Sequence, residues 1–264
     1  VALDNENPNR LYIACGVNGE PEGKLCISDD CGESFTYAGI PTMVHGNLSG
    51  RGTGMRLVVD ESDSSTLYFA SQTGGLLRTR DRGESWERLP LEENYLTFVW
   101  VSPDGKTIVA GTAGLTKKID DRHRGHSLYV SYDAGSSFEE LEEPKNMEIP
   151  DCRMNGNVAS RYDYDGKYLY ITMNSTGRFN YIVDMGYSCD TGDVIGGHIL
   201  RYRFENGRIS GCDDITPYDD EKSREERYVD YGFGCVCSCQ SEPGLLACTT
   251  LCRELKGVEY VYLS

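Results

Sequence analysis

The sequence has no run of 18 apolar residues, so no segment reads as a membrane-spanning helix. Basic residues are scarce. Twenty-six Lys and Arg stand against 42 Asp and Glu, a formal net charge of −16. That balance disfavours nucleic acid or an anionic membrane as partner and leaves a neutral polymer or a small ligand compatible. The four histidines, His45, His123, His126 and His198, show no ligand-like spacing, and the serines form no nucleophile elbow. No signal peptide is visible, and the chain starts at Val1 in mid-pattern, as a processed protein or a piece of a longer one would.

Cysteine, by contrast, is abundant. The odd count of 11 leaves at least one unpaired within the chain. Cys235, Cys237 and Cys239 alternate along one predicted strand and so face the same way, with Cys248 and Cys252 following. Three readings are open: small residues buried on tightly packed inner strands, one or two disulfides, or a metal cluster. The Cys-x-Cys-x-Cys spacing lacks the paired Cys-x₂-Cys ligands of common zinc sites, so no metal and no other cofactor is expected.

One eight-residue signature, Ser/Thr-x-Asp-x-Gly-x-Ser-aromatic, occurs three times. The copies run Ser28 to Phe35, Thr79 to Trp86 and Ser131 to Phe138, with starts 51 and then 52 residues apart. A fixed period of this size marks a repeat architecture. The Asp and Ser side chains can hydrogen-bond nearby backbone, the Gly can take φ > 0, and the aromatic plugs the following strand into a core. That describes a self-stabilised hairpin turn, the Asp-box.

Around each box the same strands recur. A short apolar strand precedes a turn rich in Asp, Pro, Asn or Gly, as at Asp4 to Arg10 or Asp60 to Thr66. A second strand follows, such as Leu67-Tyr68-Phe69, then a third, such as Gly75 to Arg78, and the box turns into a fourth. The expected fold is therefore all-β: a β-propeller of four-stranded antiparallel blades with Asp-box hairpins. The blades fall at about 1–40, 55–91, 95–144, 156–217 and an incomplete 232–264, about five of an expected seven-bladed ring. In the fourth, Asn206-Gly207, a strong two-residue hairpin signal, replaces the box. Because an unclosed ring exposes blade edges, the whole reads as part of a longer propeller.

Ligands of a propeller normally use the face carrying the blade-to-blade loops and the loops between second and third strands. Four stretches stand out there: His45 to Gly54, Gly111 to His126, the long Asn174 to Gly197, and Tyr218 to Tyr231. The candidate substrate contacts are Arg51, Gly52, Gln72, Arg178, Tyr181 and Tyr187. Each has a plainer reading. Arg51 could tie its loop to a carboxylate, and Tyr181 and Tyr187 could pack the insertion onto the blade. Asp184, Asp190 and Asp193 could be solvated rather than cation-binding, and Trp100 reads as core.

The run Gly50-Arg51-Gly52-Thr53-Gly54-Met55-Arg56-Leu57-Val58-Val59-Asp60, then Leu67-Tyr68-Phe69 and Gly74-Gly75-Leu76, resembles the xyloglucan-cleaving glycoside hydrolases of family seventy-four. Gly166 to Thr172, Asp214 to Pro217 and Tyr231 to Gly234 are similar too. The resemblance implies two seven-bladed propellers flanking a glucan cleft, and an extracellular, inverting endo-β-1,4-glucanase acting on xyloglucan. Inversion needs two carboxyl groups roughly 6.5–9.5 Å apart, with a water between one of them and the sugar. The family's base lies in an earlier blade and its acid at the start of the second propeller, so no catalytic residue is carried over to this chain. The chain departs from the family at Asn155-Gly156, where His-Lys is usual, and at Met55, where Glu is common. These departures imply altered subsites or a binding-only relative. The alternatives are a non-catalytic glycan-binding propeller and a sialidase-like or scaffold propeller. A sialidase needs three convergent arginines and a tyrosine nucleophile, a set the sequence does not supply.

Overall fold

The computed structural model describes residues 1–17, 19–44, 54–92, 96–112, 118–119, 122–124, 128–144, 154–155, 157–175, 198–217, 233–250 and 261–263. All regular structure among them is β. The first blade is β1 (Ala2–Leu3), β2 (Leu11–Cys15), β3 (Gly23–Ser28) and β4 (Thr36–Ile40), paired in chain order. The second repeats the meander with β5 (Leu57–Asp60), β6 (Asp63–Ser71), β7 (Gly75–Thr79) and β8 (Glu87–Arg88). The third begins with β9 (Leu96–Val101) and β10 (Ile108–Thr112). Two short strands, β11 (Lys118–Ile119) and β12 (Arg122–Arg124), intervene before β13 (Leu128–Ser131) and β14 (Glu139–Glu140) complete it. Next come β15 (Met154–Asn155) and the fourth blade: β16 (Asn157–Tyr164), β17 (Tyr168–Ser175), β18 (His198–Glu205) and β19 (Arg208–Asp214). A last sheet holds β20 (Phe233–Ser238), β21 (Leu246–Thr250) and β22 (Val261–Leu263).

Two details differ from the sequence reading. The turn expected over Asp60 to Thr66 is tighter, because β6 already starts at Asp63. The stretch Gly111 to His126, read as loop, contains the β11–β12 hairpin, whose second strand pairs in parallel with β15.

The chain divides into two compact units, 1–112 with 129–140, and 113–128 with 141–264. In the first, the core lies between consecutive blades. Along β6 the side chains alternate: Leu67 and Phe69 join Tyr12, Leu25 and Ile40 of the first blade. Tyr68 and Ala70 join Val99, Val101 and Ile108 of the third. A strand buried on both faces reads as a continuous apolar run, which is why Leu67-Tyr68-Phe69-Ala70 lacks polar alternation. Trp100 is buried, as expected.

The three boxes occupy the same hairpin in their blades, between the third and fourth strands. In each, the backbone N–H of Gly32, Gly83 or Gly135 donates to the oxygen of Ser28, Thr79 or Ser131, at 2.7, 2.8 and 2.8 Å. The N–H of Ser34, Ser85 or Ser137 donates to Asp30, Asp81 or Asp133 at 2.9 Å in every copy. The fourth blade makes the same reversal with Asn206 at φ 52° and Gly207 at φ 73°, the paired positive angles of a two-residue hairpin.

In the second unit, two carboxylates tie the fourth blade to the last sheet. Asp163 accepts from the Ser238 hydroxyl at 2.8 Å and also from its N–H. The buried Asp165 accepts from the N–H of Lys167 (2.9 Å), Tyr168 (2.7 Å) and Gly244 (3.0 Å), and from the Tyr170 hydroxyl (2.9 Å).

Candidate strand-end site

In a four-stranded meander the first and third turns share one end of the blade, and the second turn lies at the other. The boxes therefore sit with the first turns, and hydrogen bonds confirm it. The N–H of Cys31, Arg82 and Ala134 donates to the carbonyl of Asn9, Ser65 and Lys106 respectively, at 2.9, 2.9 and 2.8 Å. The loops between second and third strands lie at the opposite end, where the sequence places the candidate contacts.

Of the six candidate contacts, Gln72 is described. Arg51, Gly52, Arg178, Tyr181 and Tyr187 lie outside the described residues, as do Asp184, Asp190 and Asp193. Gln72 occupies the β6–β7 loop and is 4 % exposed. Its side-chain Nε2 has no hydrogen-bond partner among the described residues. An unused buried donor costs about 1–3 kcal/mol, so such a group calls for an acceptor from elsewhere.

The residues on either side of Gln72 belong to a cluster of hydroxyls that sequence reasoning missed. Ser71 Oγ lies 3.0 Å from Thr42 Oγ1, which lies 3.3 Å from Thr73 Oγ1. Ser71 Oγ also accepts from the N–H of Thr73 and Gly74, at 3.2 and 2.9 Å, which pins the turn. Thr42 reaches this loop from the first-to-second-blade connection, an approach that no local spacing signals. Added bulk at Gly74 would strike it, since a Cβ there would lie 2.5 Å from Thr42 Oγ1.

Farther along the same connection, the buried Val44 packs on the first blade. The Arg56 guanidinium donates to the Val44 carbonyl at 2.8 Å and stands over the Phe69 ring at 5.6 Å. Val44 packs so closely on Gly23 that a Cβ there would lie 2.2 Å from its Cγ2. Beyond Gly23 is an open depression lined by Cys15, Gly16, Val17, Glu20, Glu22 and Lys24. Hydroxyls, an amide and charged rims at strand ends suit a ligand rich in hydroxyl groups. A depression in the second unit, lined by Ile199, Ile215, Pro217, Leu246, Cys248 and Leu263 around Arg201, is mainly apolar.

The cysteine readings resolve in part. Cys235 and Cys237 are exposed, so the expectation that they pack as buried small residues does not hold. Cys239 lies just beyond the end of β20, and Cys248 is buried. No group of three metal-ligating side chains occurs among the described residues. His198 and Asp214 form a buried pair at 2.9 Å. Burial opposes ionisation of Asp214, but the His198 ring and the Thr216 hydroxyl outweigh it and hold its pKa below the usual carboxylate value.

Blades of this kind define the β-propeller, and comparison with solved structures places the chain in that fold. It superposes on the GH74 xyloglucanase from Xanthomonas campestris with a TM-score of 0.69, at 21% identity, covering 100% of this chain and 36% of that one. No family model matches. Among curated proteins the chain is similar to a xyloglucanase of Paenibacillus sp, 26% identical over 272 residues, covering 95% of this chain and 24% of the relative. It is also similar to a xyloglucanase of Hypocrea jecorina, 27% identical over 278 residues, covering 95% of this chain and 29% of the relative. The resemblance to xyloglucanase-type glycoside hydrolases is thus borne out along most of the chain, which spans about a quarter of those relatives' length.

Proposed function

We propose that this chain is the glycan-binding propeller portion of a secreted endo-β-1,4-glucanase acting on xyloglucan, and that it forms part of a cleft wall rather than the catalytic pair. The observation that carries the reading is the β6–β7 loop, where the buried Gln72, its Nε2 without a partner among the described residues, lies in the chain between Ser71 and Thr73, both linked to Thr42. Similarity to proteins named xyloglucanases over 95% of the chain supports the choice of ligand. Sugar hydroxyls would satisfy the amide, and the strong acidity of the chain does not oppose a neutral polymer. Arg51 and Gly52, and Arg178, Tyr181 and Tyr187 of the long Asn174–Gly197 stretch, are the further contacts proposed from the sequence, the tyrosines by stacking on sugar rings.

Calorimetric titration of the purified chain with xyloglucan oligosaccharides tests this. Gln72→Ala is expected to weaken binding about 10-fold, the scale of one hydrogen bond of about 1.4 kcal/mol. Tyr181→Ala is expected to weaken it by about 1–3 kcal/mol. Absence of binding by the unmutated chain, or titrations unchanged by both substitutions, would overturn the assignment.

A further inference from the structure

Cys15, the last residue of β2, and Cys26 on β3 lie on one face of the first blade. Cys15 is opposite Lys24 and Cys26 opposite Ile13, so the cysteines are diagonal neighbours. Their sulfurs are 3.0 Å apart and both side chains are partly buried. A disulfide requires a separation of about 2.05 Å, so the sulfurs need to close by about 1 Å. Gly16 immediately follows Cys15, and the strand end there can shift without breaking a longer ladder.

We propose that Cys15 and Cys26 are a cross-strand dithiol that oxidises to an intrachain disulfide, stapling the base of the β2–β3 loop beside the open depression. The oxidant is a small-molecule or protein disulfide. Cys15 lines the depression and Cys26 does not, so in the proposed order an incoming disulfide meets Cys15 first. Burial, reinforced by the hydrogen bond with Cys15, pushes the Cys26 thiol up to about 11, which leaves it protonated until the second step. The Cys15 thiolate attacks one sulfur of the oxidant, the oxidant's S–S bond breaks, and one thiolate leaves. Cys26 then gives its proton to solvent and attacks the Cys15 sulfur, and the second thiolate leaves. The two protein thiols lose two protons and two electrons, and the oxidant gains both as two thiols.

The test equilibrates the purified chain across a series of glutathione/glutathione-disulfide ratios, quenches with N-ethylmaleimide and maps the tryptic peptides. Trypsin cuts after Lys24, so the disulfide joins the peptide 11–24 to the peptide 25–51. The second peptide also holds Cys31, so the mapping is repeated in Cys31→Ser. Expected results are the joined peptides in both proteins at the oxidising end and their loss at the reducing end. In Cys26→Ser, a glutathione adduct should stop on Cys15. Oxidised protein should melt about 5 °C above reduced protein, a shift absent from Cys15→Ser. Full maleimide labelling of both cysteines across the series, or joining of Cys15 to any cysteine other than Cys26, would overturn the proposal.

Discussion

The residue before each box glycine, Cys31, Arg82 or Ala134, adopts φ of 60, 58 and 54°, and the glycine after it 92, 95 and 84°. Two successive left-handed residues turn two N–H groups in different directions: the first reaches the carbonyl of the preceding turn, the second the Ser or Thr of the box. At two of the three glycines an added side chain would also crowd a neighbour. A Cβ on Gly135 would lie 2.8 Å from Leu89 Cδ1, and one on Gly83 2.5 Å from Leu25 Cδ2. Gly135→Ala is therefore expected to cost about 1–3 kcal/mol in urea unfolding. Ala134→Gly should stay within about 0.5 kcal/mol, because relief of the left-handed conformation offsets the added freedom of the unfolded chain.

The box carboxylates carry a pH signature. Asp81 is held down to about 2, first by the Ser85 hydroxyl and then by Thr79. Asp133 is held likewise by Ser137 and Ser131. The folded pKa is depressed, so the contribution is present above the unfolded value near 3.9 and is lost as pH falls towards about 2. The melting difference between the wild type and Asp81→Asn should thus be larger at about pH 6 than at about pH 3. A difference that does not narrow would show that the carboxylate charge plays no part in the hairpin.

At the scale of elements, the connections between sheets concentrate on few groups. Asp165 closes the β16–β17 turn, receives the Tyr170 hydroxyl and holds the N–H of Gly244 before β21. Burial, and then that carboxylate, push the Tyr170 pKa up, so the phenol stays protonated and donates. Replacing Asp165 with Ala removes four hydrogen bonds at a buried position and is expected to cost about 2–4 kcal/mol. Tyr170→Phe, which removes one donor, should cost about 1 kcal/mol by the same urea measurement.

These elements also show what the sequence could convey. The strands of β5–β10 were legible because a turn punctuates each apolar run, and Asn206-Gly207 announced its hairpin because no other pair so readily takes two positive φ angles. The early start of β6 at Asp63 was not legible, since Asp-Ser-Ser reads as a turn and the strand begins there only through the pairing of Asp63 with Asp60 of β5. Nor was the meeting of Thr42 with Ser71, nor that of Cys15 with Cys26. Both depend on which residues tertiary packing brings together. Gln72 was legible as a loop residue; its burial was not.

For the whole molecule, the expectation concerns activity. The two carboxylates of an inverting glycosidase supply and remove protons in the same transition state, and neither is assigned to this chain. The purified 264-residue chain is expected to bind xyloglucan oligosaccharides without releasing reducing ends. Reducing-end release abolished by mutating one of the chain's own carboxylates would reverse that assignment and make this region part of the catalytic pair.

The two ends of each boxed blade differ in how they are held. The boxed end is tied to the first turn by the same backbone bond three times over, while connections at the other end range from the few residues between Ser71 and Gly75 to the span from Ser175 to His198. Closing a flexible loop costs only about 0.6 kcal/mol more for each doubling of its length. Strand alignment is set at the boxed rim, so an insertion at the other rim is not forced to shift it. Loop length at that rim can drift while the strands keep their partners.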